Sequence, residues 1–186
     1  MHADARRYMN ETLRFSKALN LTAVHNADEF FRRFIAPSEA LCRWLPSHGV
    51  LLDVGSGMGV PGVPILLRMP GLHGILVERR KKRAEFLRHI VRLLEIDAEV
   101  HDCDVRDLCG IRADVCVARA VTRPELLLSM VAEKMTAEGR AVLPVPDTLD
   151  VRSYPGWAVE SVEEICCEGL RQRIHCYKRE GVSRET

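Results

Sequence analysis

The stretch Leu51 to Pro70, "LLDVGSGMGVPGVPILLRMP", constrains the fold more than any other part of the chain. A short apolar run ends in an acid, Asp53. Gly55, Gly57, Gly59 and Gly62 follow, and Pro61 and Pro64 stand where a helix begins. An apolar strand, a glycine-rich turn and a helix in that order open a βαβ unit, with the backbone free to approach a ligand at the turn. The rest of the central sequence continues the alternation. "VPILLRM" reads as a helix, "GILVE" (Gly74 to Glu78) as a second strand, and "KKRAEFLRHIVRLLEI" as an amphipathic helix. "AEVHDCDV" holds a third strand, "ADVCVAR" is a fourth, "PELLLSMVAEKM" a helix and "GRAVLPV" a fifth strand. This alternation predicts a mainly parallel, doubly wound α/β sheet with helices on both faces. Beyond Pro146, "AVESVEEICC" and "LRQRIHCYKRE" face each other across Glu168-Gly169 and predict a closing antiparallel hairpin.

Before the sheet the pattern is helical. Tyr8, Met9, Thr12, Phe15 and Leu19 recur at helical spacing, and "NLT" (Asn20 to Thr22) ends the run. Asn26 and Glu29 have capping-box spacing ahead of "DEFFRRFI", Pro37 interrupts that helix, and "SEALCRWL" forms a further short one. The expected division is an N-terminal helical extension, residues 1–48, packed on a main domain of residues 49–186.

Bulk properties exclude more than they assign. With 47% apolar and 28% charged residues the chain is an ordinary globular protein of 186 residues, and its net charge of +1 leaves any nucleic-acid affinity to local clustering. No apolar run reaches membrane-spanning length. The 7 cysteines include no C-x-x-C pair and show no zinc spacing, so no metal site is expected. Their odd number and the lack of an apolar signal segment fit reduced thiols in a cytoplasm. Nothing demands more than a monomer.

The chemistry of the glycine loop narrows the ligand. Gly57-Met-Gly59-Val-Pro-Gly62 matches G-x-G-x-x-G, but a pyrophosphate needs free N–H groups in the first helical turn, and Pro61 and Pro64 supply none. S-adenosylmethionine (SAM) carries no phosphate and loses nothing by this, and its cationic end favours a nearby acid such as Asp53. Glu78, ending the second strand, can accept from ribose hydroxyls in a SAM or an NAD enzyme alike. An NAD-binding Rossmann enzyme therefore remains an alternative that the prolines count against.

Taken together, "DVGSGMGVPGVP", the earlier "NLT", "KKRAEFL" and "ARA" (Ala118 to Ala120) resemble the glucose-inhibited division protein B family, the bacterial small-subunit (16S) rRNA guanine-N7 methyltransferases. The similarity runs from about Asn20 to Val145. It implies a Rossmann-like SAM-dependent methyltransferase fold with a seven-stranded sheet, SAM as cofactor, and 16S rRNA or the small ribosomal subunit as partner. By motif it implies SAM contacts at Gly55 and Val60, at Val105 and Arg106, and at Arg119, beside Asp53, Gly57 and Glu78 from the loop reading. The chain departs from the family where "RFIAPS" replaces "RHILDS", so that Phe34 stands for the histidine and Pro37 for the aspartate. Asp104-Val105-Arg106 replaces R-A-E, and "LPVP" lacks a lysine that members often carry.

Guanine N7 has an in-plane lone pair and no proton, so its methylation needs positioning and no general base. No N/D-P-P-Y/F clamp for an exocyclic amine follows the fourth strand, and no cysteine sits in the Pro-Cys setting that C5 methylation uses. Arg119 is the one candidate for direct help, against a plain ion pair with Glu125. The basic run Arg79, Arg80, Lys81, Lys82 and Arg83, continued by Arg88 and Arg92 and flanked by Arg6, Arg7, Arg32 and Arg33, reads either as a solvated face or as a phosphate-docking surface. With aromatic residues at 5%, docking would rest on shape and phosphate contacts. A third alternative is a SAM-fold domain that docks on RNA or a ribosome without transferring methyl groups.

Overall fold

The computed structural model describes residues 3–180, so the outermost ends of the two expected segments lie outside the described residues. Seven strands form one sheet in the order β3-β2-β1-β4-β5-β7-β6. These are β1 Gly49–Val54, β2 Leu72–Val77, β3 Ala98–His101, β4 Ala113–Ala118, β5 Met135–Val145, β6 Trp157–Cys167 and β7 Leu170–Arg179. β1 to β5 are mutually parallel, and β7 inserts antiparallel between β5 and β6. The hairpin turn is Glu168-Gly169, both at positive φ, as a tight two-residue connection requires. This is the Rossmann-like arrangement expected, with the first strand central and the chain reversing direction of travel beside it.

The central strands are buried on both faces, which explains their continuous apolar runs. Successive residues alternate between two cores. Leu51, Leu76, Val115 and Val117 face one layer with Tyr8, Ile65 and Leu87. Leu52, Val54, Val77, Cys116 and Ala118 face the other with Leu127, Leu128, Trp157 and Tyr177. The first layer is covered by α1 (Ala3–Leu19), α4 (Gly62–Arg68) and α5 (Lys81–Leu93), the second by α6 (Pro124–Val131). Trp157, fully buried, donates its indole N–H to the Leu128 carbonyl at 3.1 Å and so ties the hairpin to α6.

α1 buries Ala5, Tyr8, Met9, Thr12 and Ser16 along one stripe and stops where Asn20 turns to φ 49° and the Leu21 N–H returns to the Ser16 carbonyl. Asn26 caps α2 (Ala27–Phe30) by accepting the Glu29 N–H at 2.8 Å. The interruption expected at Pro37 takes a different form. The helical path continues as a π-turn, Phe31–Ile35, in which the Ala36 N–H reaches the Phe31 carbonyl, and α3 resumes at Ala36–Ala40. The physical cause is the missing N–H of proline, which deletes the α-helical bond to the residue four positions back. β3 lies within the segment expected to hold it and stops at His101, where Asp104 caps a 3₁₀ turn, Val105–Asp107. β5 begins earlier than expected, at Met135, which pairs with Ala113. Among the described residues no helix is long and apolar enough to cross a membrane, and no cluster of His, Cys, Asp or Glu could hold a metal.

Candidate functional site

The glycine loop is fixed by its own backbone and by side chains from three elements. The Ser56 N–H donates to the Val77 carbonyl (3.0 Å) and the Ser56 hydroxyl to the Asp53 carbonyl (2.9 Å), so the chain crosses from the end of β1 to the end of β2. The Gly57 N–H donates to Glu78 Oε2 at 2.9 Å and the Arg80 N–H to Oε1 at 2.8 Å. Glu78 thus links the loop to the start of α5, and each of its oxygens keeps a free lone-pair direction. Gly55 and Gly57 both have positive φ. A Cβ on Gly55 would stand 2.6 Å from Val121 Cγ2, whereas one on Gly57 would meet nothing nearer than 3.7 Å. The first glycine is required by packing and conformation, the second by conformation alone.

Above the loop lies a cavity of about 740 Å³ at the carboxyl ends of β1, β2, β3 and β4. One side is lined by Val77, Glu78, Cys103, Asp104, Val105 and Arg106, the other by Leu21, Phe34, Arg119, Val121, Leu126 and Met130. Val121 (40% exposed) and Leu126 (53%) are large apolar side chains left open to solvent, and both lie on this wall. A mouth of this kind accepts a flat, partly apolar ligand with a few polar anchors.

Asp53 is a correction to the sequence reading. It is fully buried, does not line the cavity, and accepts the Gly62 N–H at 3.1 Å behind the loop. The alternation along β1 puts it on the Leu51 side, toward the start of α4, and not toward the ligand space. Its Oδ1 has no hydrogen-bond partner, and burial pushes its carboxyl up to about 7. A cationic ligand in the cavity is therefore not met by Asp53. Its place is under the loop, holding the turn into α4.

The other anticipated residues distribute as follows. Gly55, Gly57, Val60, Glu78, Val105, Arg106 and Arg119 all line the cavity, as do Arg79, Arg80 and Arg83. Arg106 is not open. Its guanidinium forks onto Asp104 with two contacts of 2.9 Å, and the Arg106 N–H caps onto the same carboxylate. That hydrogen bonding holds the Asp104 carboxyl far below the usual range. Arg119 does not pair with Glu125, which contacts Arg152 instead (3.5 Å). Arg83 donates to the Asn20 carbonyl and so binds "NLT" to α5. Lys81 and Lys82 are exposed in the first turn of α5 and outside the cavity, and Arg32 and Arg33 are exposed on the π-turn. Arg88 is committed to Asp102 (2.8 Å) and Glu85 and does not extend the basic face. Arg7 donates to the carbonyl ending α5 and is likewise occupied.

Tyr8 is marked in the sequence only by its helical spacing. Its hydroxyl, buried by α1, donates to the Met58 carbonyl at 2.9 Å, fixing the outer half of the loop from the N-terminal helix. Tyr8→Phe leaves that carbonyl without its donor and is expected to cost about 1–3 kcal/mol of stability, read as a lower denaturation midpoint at unchanged slope. No change in midpoint would mean that water replaces the hydroxyl.

Comparison with known proteins agrees with this architecture. The family model described as rRNA small subunit methyltransferase G matches residues 1–144. A ribosomal RNA small subunit methyltransferase G from Syntrophotalea carbinolica is 31% identical over 140 residues, 73% of this chain and 64% of that protein, so the chain spans less than two thirds of that relative. The one from Xanthomonas axonopodis pv. citri is 31% identical over 174 residues, 91% of this chain and 82% of the relative. Among solved structures, the putative methyltransferase yhhF from Escherichia coli superposes with a TM-score of 0.65 at 17% identity, covering 87% of this chain and 92% of that one, a likeness of fold. A family match over most of the sequence, with the glycine loop and all of its supports inside the matched span, means that the chain belongs to the rRNA small subunit methyltransferase G family.

Proposed function

We propose that the protein transfers a methyl group from SAM to N7 of a guanine in bacterial 16S rRNA, with residues 1–48 acting as a helical extension of the methyltransferase domain, residues 49–186. The observation that carries this reading is the meeting, at the ends of β1 and β2, of a glycine cradle with the Glu78 carboxylate. The residues fit the donor. Gly55 and Gly57 present backbone where a Cβ would crowd or strain it, and Glu78 has lone pairs left for ribose hydroxyls. Val77 and Val105 offer apolar contact to a base, and Arg119 brings N–H donors to the opposite wall.

SAM, when bound, supplies a methyl group activated by its sulfonium. The chain's task is then to hold two reactants in line, which alone can account for a large share of a rate enhancement. Because guanine N7 carries no proton, no side chain has to remove one, and among the described residues no Asp, Glu or His lines the wall of Phe34, Arg119, Val121, Leu126 and Met130, which fits this acceptor. Phe34, Arg119 and Leu126 border the side by which a base would enter. The exposed run at the start of α5 supports a polyanionic partner. Lys81 and Lys82 stand exposed in a first helical turn that contains no acid. Cations there oppose the helix dipole, so helix stability does not explain them, while phosphate binding does.

The test is transfer of labelled methyl from SAM to undermethylated small subunits and to naked 16S rRNA, with mapping of the modified base. Label at a guanine N7 is the expected outcome. SAM binding without transfer would overturn it in favour of a non-catalytic RNA-docking domain, a reading that the self-engaged Asp104–Arg106 fork would then explain.

A further inference from the structure

We infer that Phe34 and Pro37 are positioning residues for Arg119, through which the helices before the sheet set one wall of the cavity. The inference rests on the methyl-donor reading above. Arg119 follows β4 directly and lines the cavity, yet among the described residues no carboxylate pairs with it. A half-buried guanidinium without a counter-ion must be held by other means, because its long side chain is otherwise free to leave. Two contacts hold it, and both come from the π-turn. Nη1 donates to the Arg33 carbonyl at 2.9 Å, and the guanidinium carbon stands 5.2 Å from the centre of the Phe34 ring.

Each contact has a cause in the local sequence. In an α-helix the Arg33 carbonyl would accept from the N–H of residue 37. Residue 37 is proline, which has none, so that acceptor is left for a partner from outside the helix. The same missing donor accompanies the wider π-turn over Phe31–Ile35, which places Phe34 on the cavity wall. The Phe34 ring is itself braced edge-on against buried Phe30, with centroids 5.0 Å apart, and Arg33 is anchored by Glu29 at 2.9 Å. Burial and the neighbouring Arg33 charge both disfavour the charge on Arg119, which sharpens its demand for an anionic or π-rich partner. Among the described residues, the Arg33 carbonyl is the only acceptor that its N–H groups meet. The remaining donors are thus held ready for a ligand, and the acidic group that SAM carries is its carboxylate.

The test is a double-mutant cycle read by calorimetric affinity for SAM and for S-adenosylhomocysteine, which needs no turnover. Phe34→Leu is expected to weaken both ligands about fivefold, and Phe34→Tyr to stay within about twofold of the native protein. In an Arg119→Ala background Phe34→Leu is expected to have no further effect. Pro37→Ala, which gives the Arg33 carbonyl an in-helix donor, is expected to follow the same pattern with a smaller loss. Equal losses in both backgrounds, for Phe34→Leu and for Pro37→Ala, would make these residues merely structural and overturn the inference. So would an unchanged affinity in Phe34→Leu beside a clear loss in Arg119→Ala. A native protein that binds neither ligand would instead overturn the donor reading itself, and the inference with it.

Discussion

Gly55→Asp is expected to abolish SAM binding, with affinity falling by about a hundredfold or more while the fold persists, measured by calorimetry beside a thermal melt. Gly55 has φ +68°, a conformation that costs an L-residue on the order of 1 kcal/mol, and its added Cβ would fall 2.6 Å from Val121 Cγ2. Val121 is 40% exposed, so it can swing aside and the core need not break. The displaced valine and the new carboxylate then occupy the ligand space at the cavity wall. Undiminished affinity in a folded variant would place the donor somewhere other than this loop.

Asp53→Asn is expected to change how stability depends on pH. The native carboxyl is raised to about 7 by burial, against an ordinary value of 3.8. The folded state therefore binds more protons than the unfolded state between about pH 4 and pH 7. In that window, ionising Asp53 makes stability fall as pH rises, by at most on the order of 4 kcal/mol. Below pH 4 the group costs nothing, and above pH 7 the loss is complete. Other groups titrate too, with Asp104 and Asp102 held low by arginines, so the difference between variant and native protein is the quantity to read. Asparagine keeps an oxygen for the Gly62 N–H and has no charge to bury. Its stability relative to the native protein should climb between pH 4 and pH 7 and level off above. Parallel curves in urea titrations across that range would show that Asp53 stays charged in the fold.

Asp53 also shows how far the sequence could be read. Its place just before the glycines predicts a ligand contact, and SAM's positive charge favours an acid there. The strand period carried the opposite signal. Asp53 shares a face with Leu51, and that face looks into the layer of α1, α4 and α5. Pro37 was legible as an irregularity but not as to kind. A proline removes one donor wherever it stands, and whether the helix breaks or widens depends on what packs around it, here Phe30, Ile35 and the sheet. Arg119 was legible as a privileged strand-end position, whereas its partner was not. Glu125 is near in sequence, but the groups that hold Arg119 lie more than eighty positions away, the Arg33 carbonyl at a separation of 86.

The sequence by itself determined the order of strands and helices, the antiparallel closing hairpin and the position of the cavity at the strand ends. Those follow from near-neighbour physics: side-chain period, turn chemistry at Glu168-Gly169, and the limit that glycine and proline set on φ and on N–H donors. Only the tertiary structure decided which side chains face the cavity, that Tyr8 and Arg83 bind the N-terminal helix to the loop and to α5, and that Arg106 folds onto Asp104 while Arg119 reaches the π-turn. Such contacts are chosen by packing between segments far apart in the chain. Each buried polar group must find a partner among whatever the fold brings near, and that supply is not written in any local stretch of residues.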